Sequence, residues 1–356
     1  MDMKVELCQN LKTKPVWEDG NLPFGRVFTD YMMQMDYSAD KGWHDACIIP
    51  YAPFQLDPAT LCLHYGQMIF EGMKAYRRPD GKIALFRPRE NMARMNESAW
   101  RMCMPAIDGE DALNSLMKLI ELEKDWVPPT PNSSLYLRPF MFATEAQMIP
   151  NPSATYRFAI IMCPVQSLYK GGVAPVRICV EEEYVRAVKG GTGAAKCAGN
   201  YAAAMRSQLD AASKGFAQVL WLDGVHRKYI EEVGTMNVVF VIDGVAVTPE
   251  LTGSILPGVT RKSVIEMLRD SGMKVEERPI SIDELAKAYD DGKLDEAFGC
   301  GTAAVVSSIG ELTWGSKVMD IGGGGVGKVT QKVYDELTGI QFGTSPDTRG
   351  WVTIVC

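Results

Sequence analysis

Apolar positions along the chain alternate between two spacings, and the changes of spacing predict its elements. Met92, Met95, Ala99 and Met102 recur at helical intervals, which predicts a helix over 88–104 with Pro88 tolerated in its first turn. The same periodicity predicts helices over 112–124, 200–213, 257–271, 282–290 and 329–338, with Gly215 as a helix terminator. Short apolar runs at 47–51, 60–64, 134–142, 157–163, 176–182 and 218–222 read as strands, and 296–299 as a short strand or turn. Two hairpins are marked by their turns: Pro79-Asp80-Gly81 between 73–76 and 82–86, and Asp243-Gly244 between 238–242 and 245–248. The chain opens in a polar, irregular stretch. Hairpins outnumber strand–helix–strand units, so the expected class is α+β. A chain of 356 residues predicts about two domains. The run Lys170-Gly171-Gly172-Val173-Ala174-Pro175 is the linker candidate. The expected division is 1–169, a linker over 170–182, and 183–356.

Composition narrows the function without choosing it. A net charge of -7 argues against nucleic acid as a main partner and fits a protein that handles small molecules. No window approaches the roughly 18 uninterrupted apolar residues of a membrane span, and the first residues resemble neither a signal nor a transit peptide, so a cytoplasmic location is expected. Nine cysteines, none spaced CxxC, read as free thiols. Three scattered histidines argue against a histidine metal site, and no metal is expected.

Lys196 carries the sharpest chemical signal. It lies in Gly190-Gly191-Thr192-Gly193-Ala194-Ala195-Lys196-Cys197-Ala198-Gly199-Asn200-Tyr201, one long cation among small residues. Small neighbours let a flat group approach the backbone, and a desolvated lysine is a nucleophile for carbonyls. A flexible loop with a solvated lysine reads equally well from this segment alone. Glu231-Glu232-Val233-Gly234-Thr235-Met236-Asn237 sets carboxylates at a strand end, where one can pair with a protonated heterocyclic nitrogen; a solvated edge is the commoner fate. Leu256-Pro257-Gly258-Val259-Thr260-Arg261 opens a helix whose N-terminal amides suit a phosphate. Gly299-Cys300-Gly301-Thr302-Ala303-Ala304 is a second small-residue turn with a hydroxyl, and Arg94 lies on the predicted 88–104 helix. Each is ordinary alone; together they are the handles of pyridoxal 5′-phosphate. Gly322-Gly323-Gly324-Gly325-Val326-Gly327-Lys328 imitates a phosphate-binding loop, but Val329 stands where a Ser or Thr is needed and no strongly apolar strand precedes it.

From Leu61 to Trp351 the chain resembles the branched-chain aminotransferases of fold type IV. The resemblance is carried by Phe70-Glu71-Gly72-Met73-Lys74-Ala75, Leu85-Phe86-Arg87-Pro88, Asn91-Met92-Ala93-Arg94-Met95, Tyr136-Leu137-Arg138-Pro139, Gly199-Asn200-Tyr201, the Glu232 to Asn237 block, the Leu256 to Arg261 block and Gly301-Thr302-Ala303. It implies a small α/β domain and a larger pseudo-barrel PLP-binding domain, in a homodimer with its site at the interface. It implies a Schiff base on Lys196, Glu232 on the pyridine nitrogen, Tyr201 on the phenolic oxygen, and Arg94, Thr302 and the amides of Val259 and Thr260 on the phosphate. Phe70, Tyr136, Thr235 and Ala303 are implied as pocket walls, with Thr302 and Ala303 also receiving the substrate carboxylate. Arg138 is implied as the partner of a distal carboxylate. Tyr65 and Met148 are implied to reach in from the other subunit. The activity implied is ping-pong transamination between L-leucine, L-isoleucine or L-valine and 2-oxoglutarate.

Two departures qualify the resemblance. Ala304-Val305-Val306-Ser307 replaces a redox CxxC, so thiol regulation of that kind is not expected. Leu168, with Tyr169 beside it, stands where a pocket tyrosine is expected, and both are left out of the binding set. The competing readings are a D-amino-acid aminotransferase or an aminodeoxychorismate lyase on the same fold, and a nucleotide-binding protein using Gly322–Lys328.

Overall fold

The computed structural model describes residues 3–17, 22, 24–166 and 173–356. Leu168, Tyr169 and the linker residues 170–172 lie outside them. The chain divides into two compact units, one of residues 1–167, 195–198 and 339–356, the other of residues 168–194 and 199–338.

The first unit is built on a nine-stranded sheet. Its middle is the antiparallel pair Ser133–Ala143 and Thr155–Gln166, in register from Ser133↔Gln166 to Ala143↔Tyr156. Their alternate residues feed a core with Leu135, Leu137, Met141, Phe158 and Ile160 fully buried. Strand Tyr31–Ser38 lies between Thr155–Gln166 and Gly42–Pro50. It falls in the stretch expected to be irregular. Met32, Met33 and Met35 are all buried, so polar and apolar positions do not alternate there and the strand signature is lost. The hairpin around Pro79-Asp80-Gly81 forms as predicted, pairing Met73–Arg77 with Ile83–Phe86. The run at 60–64, expected as a strand, is instead a one-turn helix, Leu61–Tyr65, ended by Gly66 at φ 65°. The left-handed conformation, which glycine adopts without cost, closes the helix and turns the chain into strand Met68–Phe70. Helix Pro88–Arg101 buries Met92, Met95 and Ala99, the spaced residues that predicted it. Helix Gly109–Leu122 is capped by Asp108, whose carboxylate accepts from the amide of Asp111. The C-terminal strand Val352–Ile354 pairs with Ile83–Phe86.

The second unit carries its own nine-stranded sheet. Asn237–Ile242 is flanked by Val245–Thr248 and Leu294–Gly301, both antiparallel to it. The Asp243-Gly244 turn has φ of 50° and 74°, the double positive conformation of a two-residue hairpin. The segment expected as a short strand or turn at 296–299 is an eight-residue strand, Leu294–Gly301, paired on both sides. Helices Val259–Asp270 and Ile282–Asp290 accompany it, and helix Lys328–Phe342 has residues 328–338 in this unit and its last turn in the first. The architecture is the expected α+β, two-unit arrangement. Among the described residues no helix is long and apolar enough to cross a membrane.

Candidate active site

In the first unit, strand pairing fixes the site. Phe70 pairs with Phe140 and Lys74 with Tyr136 on strand Ser133–Ala143, leaving Glu71-Gly72 between two paired segments. The amide of Glu71 donates to the carbonyl of Pro139 at 2.7 Å. A Cβ on Gly72 would stand 2.3 Å from the Tyr136 hydroxyl, so only glycine permits that approach. Helix Pro88–Arg101 presents Asn91, Arg94 and Ser98 at spacings of three and four, which is one face. Arg94 donates from Nε and Nη2 to the two oxygens of Glu71, both at 2.8 Å, and Asn91 adds a third bond at 2.8 Å. Burial alone raises the Glu71 carboxyl, but Arg94, with Lys196 and Asn91, more than offsets this and holds it below its ordinary value.

Lys196 is held by its backbone. Its amide donates to the Ser98 hydroxyl at 2.9 Å, and its carbonyl accepts from the amide of Phe70 at 3.0 Å. Its Nζ lies 5.0 Å from the centre of the Phe70 ring. Desolvation first, then Arg94 and Arg138, lowers its ammonium to about 8, against the opposing pull of Glu71 and Tyr136. Arg138 lies 4.5 Å over the same Phe70 ring and donates to the Tyr136 hydroxyl at 2.9 Å. The structure therefore brings Lys196, Phe70, Arg94, Tyr136 and Arg138 into one neighbourhood. Tyr65 and Met148 instead form an exposed pair, the Tyr65 hydroxyl donating to the Met148 carbonyl at 2.9 Å.

The second unit gathers the other candidates. Glu232, buried on strand Ile230–Val233, accepts from the amide of Leu256 at 2.8 Å and pairs with Arg186 at 3.2 Å. Leu256 in turn accepts from the Asn237 side chain at 3.0 Å, and Asn237 pairs with Cys300 beside the Thr302 turn. Contacts thus run from Glu232 through Leu256 and Asn237 to Gly301-Thr302-Ala303. Val305 closes that turn at φ 62°, a strained conformation for a β-branched residue that fixes the backbone next to Thr302 and Ala303. Gly258 caps helix Val259–Asp270 in extended conformation, with no side chain bonded at the cap and no acid in the first turn. A Cβ there would stand 2.0 Å from the Asn237 amide oxygen. The amides of Val259 and Thr260 thus open a helix whose positive end suits an anion. Tyr201 is half-buried on helix Ala198–Ser213, which follows Lys196 in the chain, and Thr235 is exposed in the turn after Glu232.

Helix Lys328–Phe342 makes an instructive contrast. Glu296 accepts from the amides of Val329 and Thr330 and from the Thr330 hydroxyl, at 2.8–2.9 Å. A Cβ on Gly327 would fall 2.0 Å from that carboxyl group. An internal carboxylate already fills the place where a nucleotide phosphate would bind, so Gly322–Lys328 is a structural turn.

Three contributors escaped the sequence reading. Glu71 was visible inside a matching block, but its tie to Arg94 is a tertiary contact. Arg186 pairs with Glu232 across 46 positions of sequence. Phe24 packs edge-on against Tyr136 with ring centres 5.0 Å apart, and nothing in its local sequence signals that.

The description "Amino-transferase class IV" fits residues 68–312. The chain belongs to the class IV aminotransferases. Among curated relatives it is 53% identical over 353 residues to branched-chain-amino-acid aminotransferase 2 of Bacillus subtilis, covering 99% of this chain and 97% of that one. It is 52% identical to a probable branched-chain-amino-acid aminotransferase of Staphylococcus aureus, covering 99% and 98%. Membership therefore extends to the branched-chain-amino-acid aminotransferase group, and the protein is a transaminase. Its fold matches the Escherichia coli branched-chain amino acid aminotransferase with a TM-score of 0.75 at 26% identity, covering 92% of this chain and 99% of that one. It also matches a second branched-chain amino acid aminotransferase, the T.th. enzyme solved with pyridoxamine 5′-phosphate, with a TM-score of 0.74 at 25% identity, covering 90% and 98%.

Proposed function

We propose that the protein transfers amino groups between L-leucine, L-isoleucine or L-valine and 2-oxoglutarate, with pyridoxal 5′-phosphate as cofactor. The observation that carries this reading is Lys196: a lysine held by its backbone on both sides, its ammonium lowered to about 8, beside an arginine and an apolar ring. The residues present fit the cofactor, since they include an amine for its aldehyde, a buried carboxylate for its ring nitrogen, and an arginine and a helix start for its phosphate. When bound, that cofactor supplies an aldehyde and an electron-accepting ring.

Each side chain then has a definite task. Lys196 Nζ would hold the cofactor through its aldehyde and would move the proton at the substrate Cα. Glu232 holds a proton on the ring nitrogen, and its bond from the Leu256 amide keeps its carboxylate turned correctly. Tyr201 hydrogen-bonds the phenolic oxygen. Arg94, Thr302 and the amides of Val259 and Thr260 hold the phosphate; Glu71 occupies Nε and Nη2 of Arg94 and fixes its direction. Thr302 and Ala303 receive the substrate carboxylate.

One pocket must accept both a branched apolar chain and the side chain of glutamate. Phe70, Tyr136, Thr235 and Ala303 wall it for the first. Arg138, its guanidinium fixed by the Tyr136 hydroxyl, receives the distal carboxylate of the second. Tyr65 and Met148 complete the pocket of a second copy in a homodimer, which would cover their exposed apolar surface. The setting is the cytoplasm.

A substrate panel tests the reading: L-leucine, L-isoleucine and L-valine with 2-oxoglutarate, against D-alanine and aminodeoxychorismate. Turnover confined to the L-branched set is expected. Preference for either of the others would replace this reading by a sister activity on the same fold.

A further inference from the structure

The backbone of Lys196 is held on two sides, both within the first unit. Its amide donates to the Ser98 hydroxyl at 2.9 Å, and its carbonyl accepts from the amide of Phe70 at 3.0 Å. Cys197, the next residue, forms a bridge with Ile69, so the lysine segment runs beside strand Met68–Phe70. Ser98 is buried within helix Pro88–Arg101. A serine inside a helix commonly turns its hydroxyl to solvent or back to the carbonyl four residues earlier. This one accepts a bond from a residue 98 positions away.

Two routes connect that backbone to Arg94, and together they close a ring. Along the helix, Ser98 stands four positions after Arg94, one turn away on the same face. Along the strand, the chain passes from Phe70 to Glu71, whose two oxygens accept from Nε and Nη2 of Arg94 at 2.8 Å. Lys196, Ser98, Arg94, Glu71 and Phe70 thus form one circuit of hydrogen bonds and short covalent links. A circuit holds two of its members at a fixed separation better than either route alone, because a shift along one path strains the other. The members whose separation matters are Lys196 and Arg94, which meet opposite ends of one small molecule, its aldehyde and its phosphate. A lysine side chain is a flexible four-carbon stem, so the placing of its backbone decides where its amine can work. The route through Glu71 sets the direction of Arg94. The route through Ser98 sets the place of Lys196.

We propose that Ser98 is a positioning residue: its hydroxyl ties the Lys196 backbone to the helix that carries Arg94, so that the amine and the guanidinium keep one separation. The proposal rests on the cofactor roles given above to Lys196 and Arg94. Its consequence is specific. With Ser98 in place, a phosphate held at Arg94 brings the aldehyde to the amine. Without it, the phosphate is still held but helps the lysine less.

The test compares how fast the cofactor-free protein captures pyridoxal 5′-phosphate and 5′-deoxypyridoxal, which has the same ring and aldehyde but no phosphate. Capture replaces the aldehyde oxygen by Lys196 Nζ and releases it as water. It is followed by absorbance, with the rate of Lys196→Ala subtracted to remove other lysines. In the parent the phosphate should speed capture by at least about a hundredfold, the advantage of a held reactant. Ser98→Ala should cut that advantage at least about tenfold, as expected for one lost hydrogen bond that orients the amine. Ser98→Cys, close in shape but a weak acceptor, should do the same and carries the test if the alanine variant does not fold. Asn96→Ala breaks two other bonds of this helix, to the amide and the carbonyl of Ile107, and should leave the advantage within about twofold, since it loosens the helix outside the circuit. An advantage unchanged in the Ser98 variants, or lowered equally by Asn96→Ala, would overturn the proposal. A parent with no phosphate advantage would overturn the cofactor reading itself, and the proposal with it.

Discussion

Both units bury an arginine against a glutamate, and the two pairs are built differently. In the first unit, Arg94 and Glu71 meet through two bonds of 2.8 Å, and Asn91 and the amide of Gly72 take further places on the carboxylate. In the second, Arg186 is divided among the carbonyls of Ser254 and Gly193 and one oxygen of Glu232, its Nε has no partner, and Glu231 nearby keeps an unanswered oxygen. A pair whose polar atoms are matched holds its members still. A cluster with unmatched atoms carries a desolvation cost. The first arrangement suits an arginine that must point in one direction; the second shares one arginine among several acceptors.

The largest effect should come from the lysine that the first pair surrounds. Lys196→Ala removes the one amine of the cluster, and steady-state transamination should fall by at least about a thousandfold. Activity within tenfold of the parent would remove Lys196 from the chemistry.

The two regions can next be set directly against each other. Glu71→Gln strips the charge from a matched buried pair and leaves the guanidinium without its counter-ion, so urea unfolding of the cofactor-free protein should show a loss of about 3 kcal/mol. Glu231→Gln replaces a carboxyl whose charged form burial disfavours, an effect that Ser254 and Arg186 only partly offset, and should leave stability unchanged or slightly improved. Similar losses in the two variants would erase the distinction between them.

Smaller effects concern individual tasks. Glu232→Gln should slow proton removal from the substrate Cα, seen as a lower rate in single-turnover experiments with L-leucine. An unchanged rate would move the ring-nitrogen role elsewhere. Arg138→Ala should impair the glutamate half-reaction more than the leucine one, and equal losses would make it structural. The smallest effect is of pH. Because the Lys196 ammonium is lowered to about 8, its neutral, nucleophilic form grows as pH rises through that value. Capture of pyridoxal 5′-phosphate by the cofactor-free protein should therefore accelerate between pH 7 and 9 and level off above. A rise centred near 10.5, the ordinary lysine value, would mean that the side chain is solvated.

What could be read from the sequence was local. The Asp243-Gly244 hairpin and helix Ile282–Asp290 follow from turn chemistry and spacing within a few residues, and both form where expected. The small residues around Lys196 marked its segment, but its low pKa comes first from burial and then from Arg94 and Arg138, far away in the chain. Strand Tyr31–Ser38 was missed because burial on both faces removed its alternation. The run at 60–64 deceived in the opposite sense: five residues are too few to separate a turn of helix from a strand, and Gly66 settles it by closing the turn. Glu71 was legible as part of a motif and illegible as a partner, since its contact with Arg94 spans 23 positions. The false phosphate loop shows the reverse: it is explained by Glu296, more than 30 positions away.

The most direct test of the central claim is the absorbance spectrum of the protein incubated with pyridoxal 5′-phosphate, recorded before and after adding L-leucine. The account predicts a visible band that moves to shorter wavelength when L-leucine is added. A protein that stays colourless after incubation would contradict it.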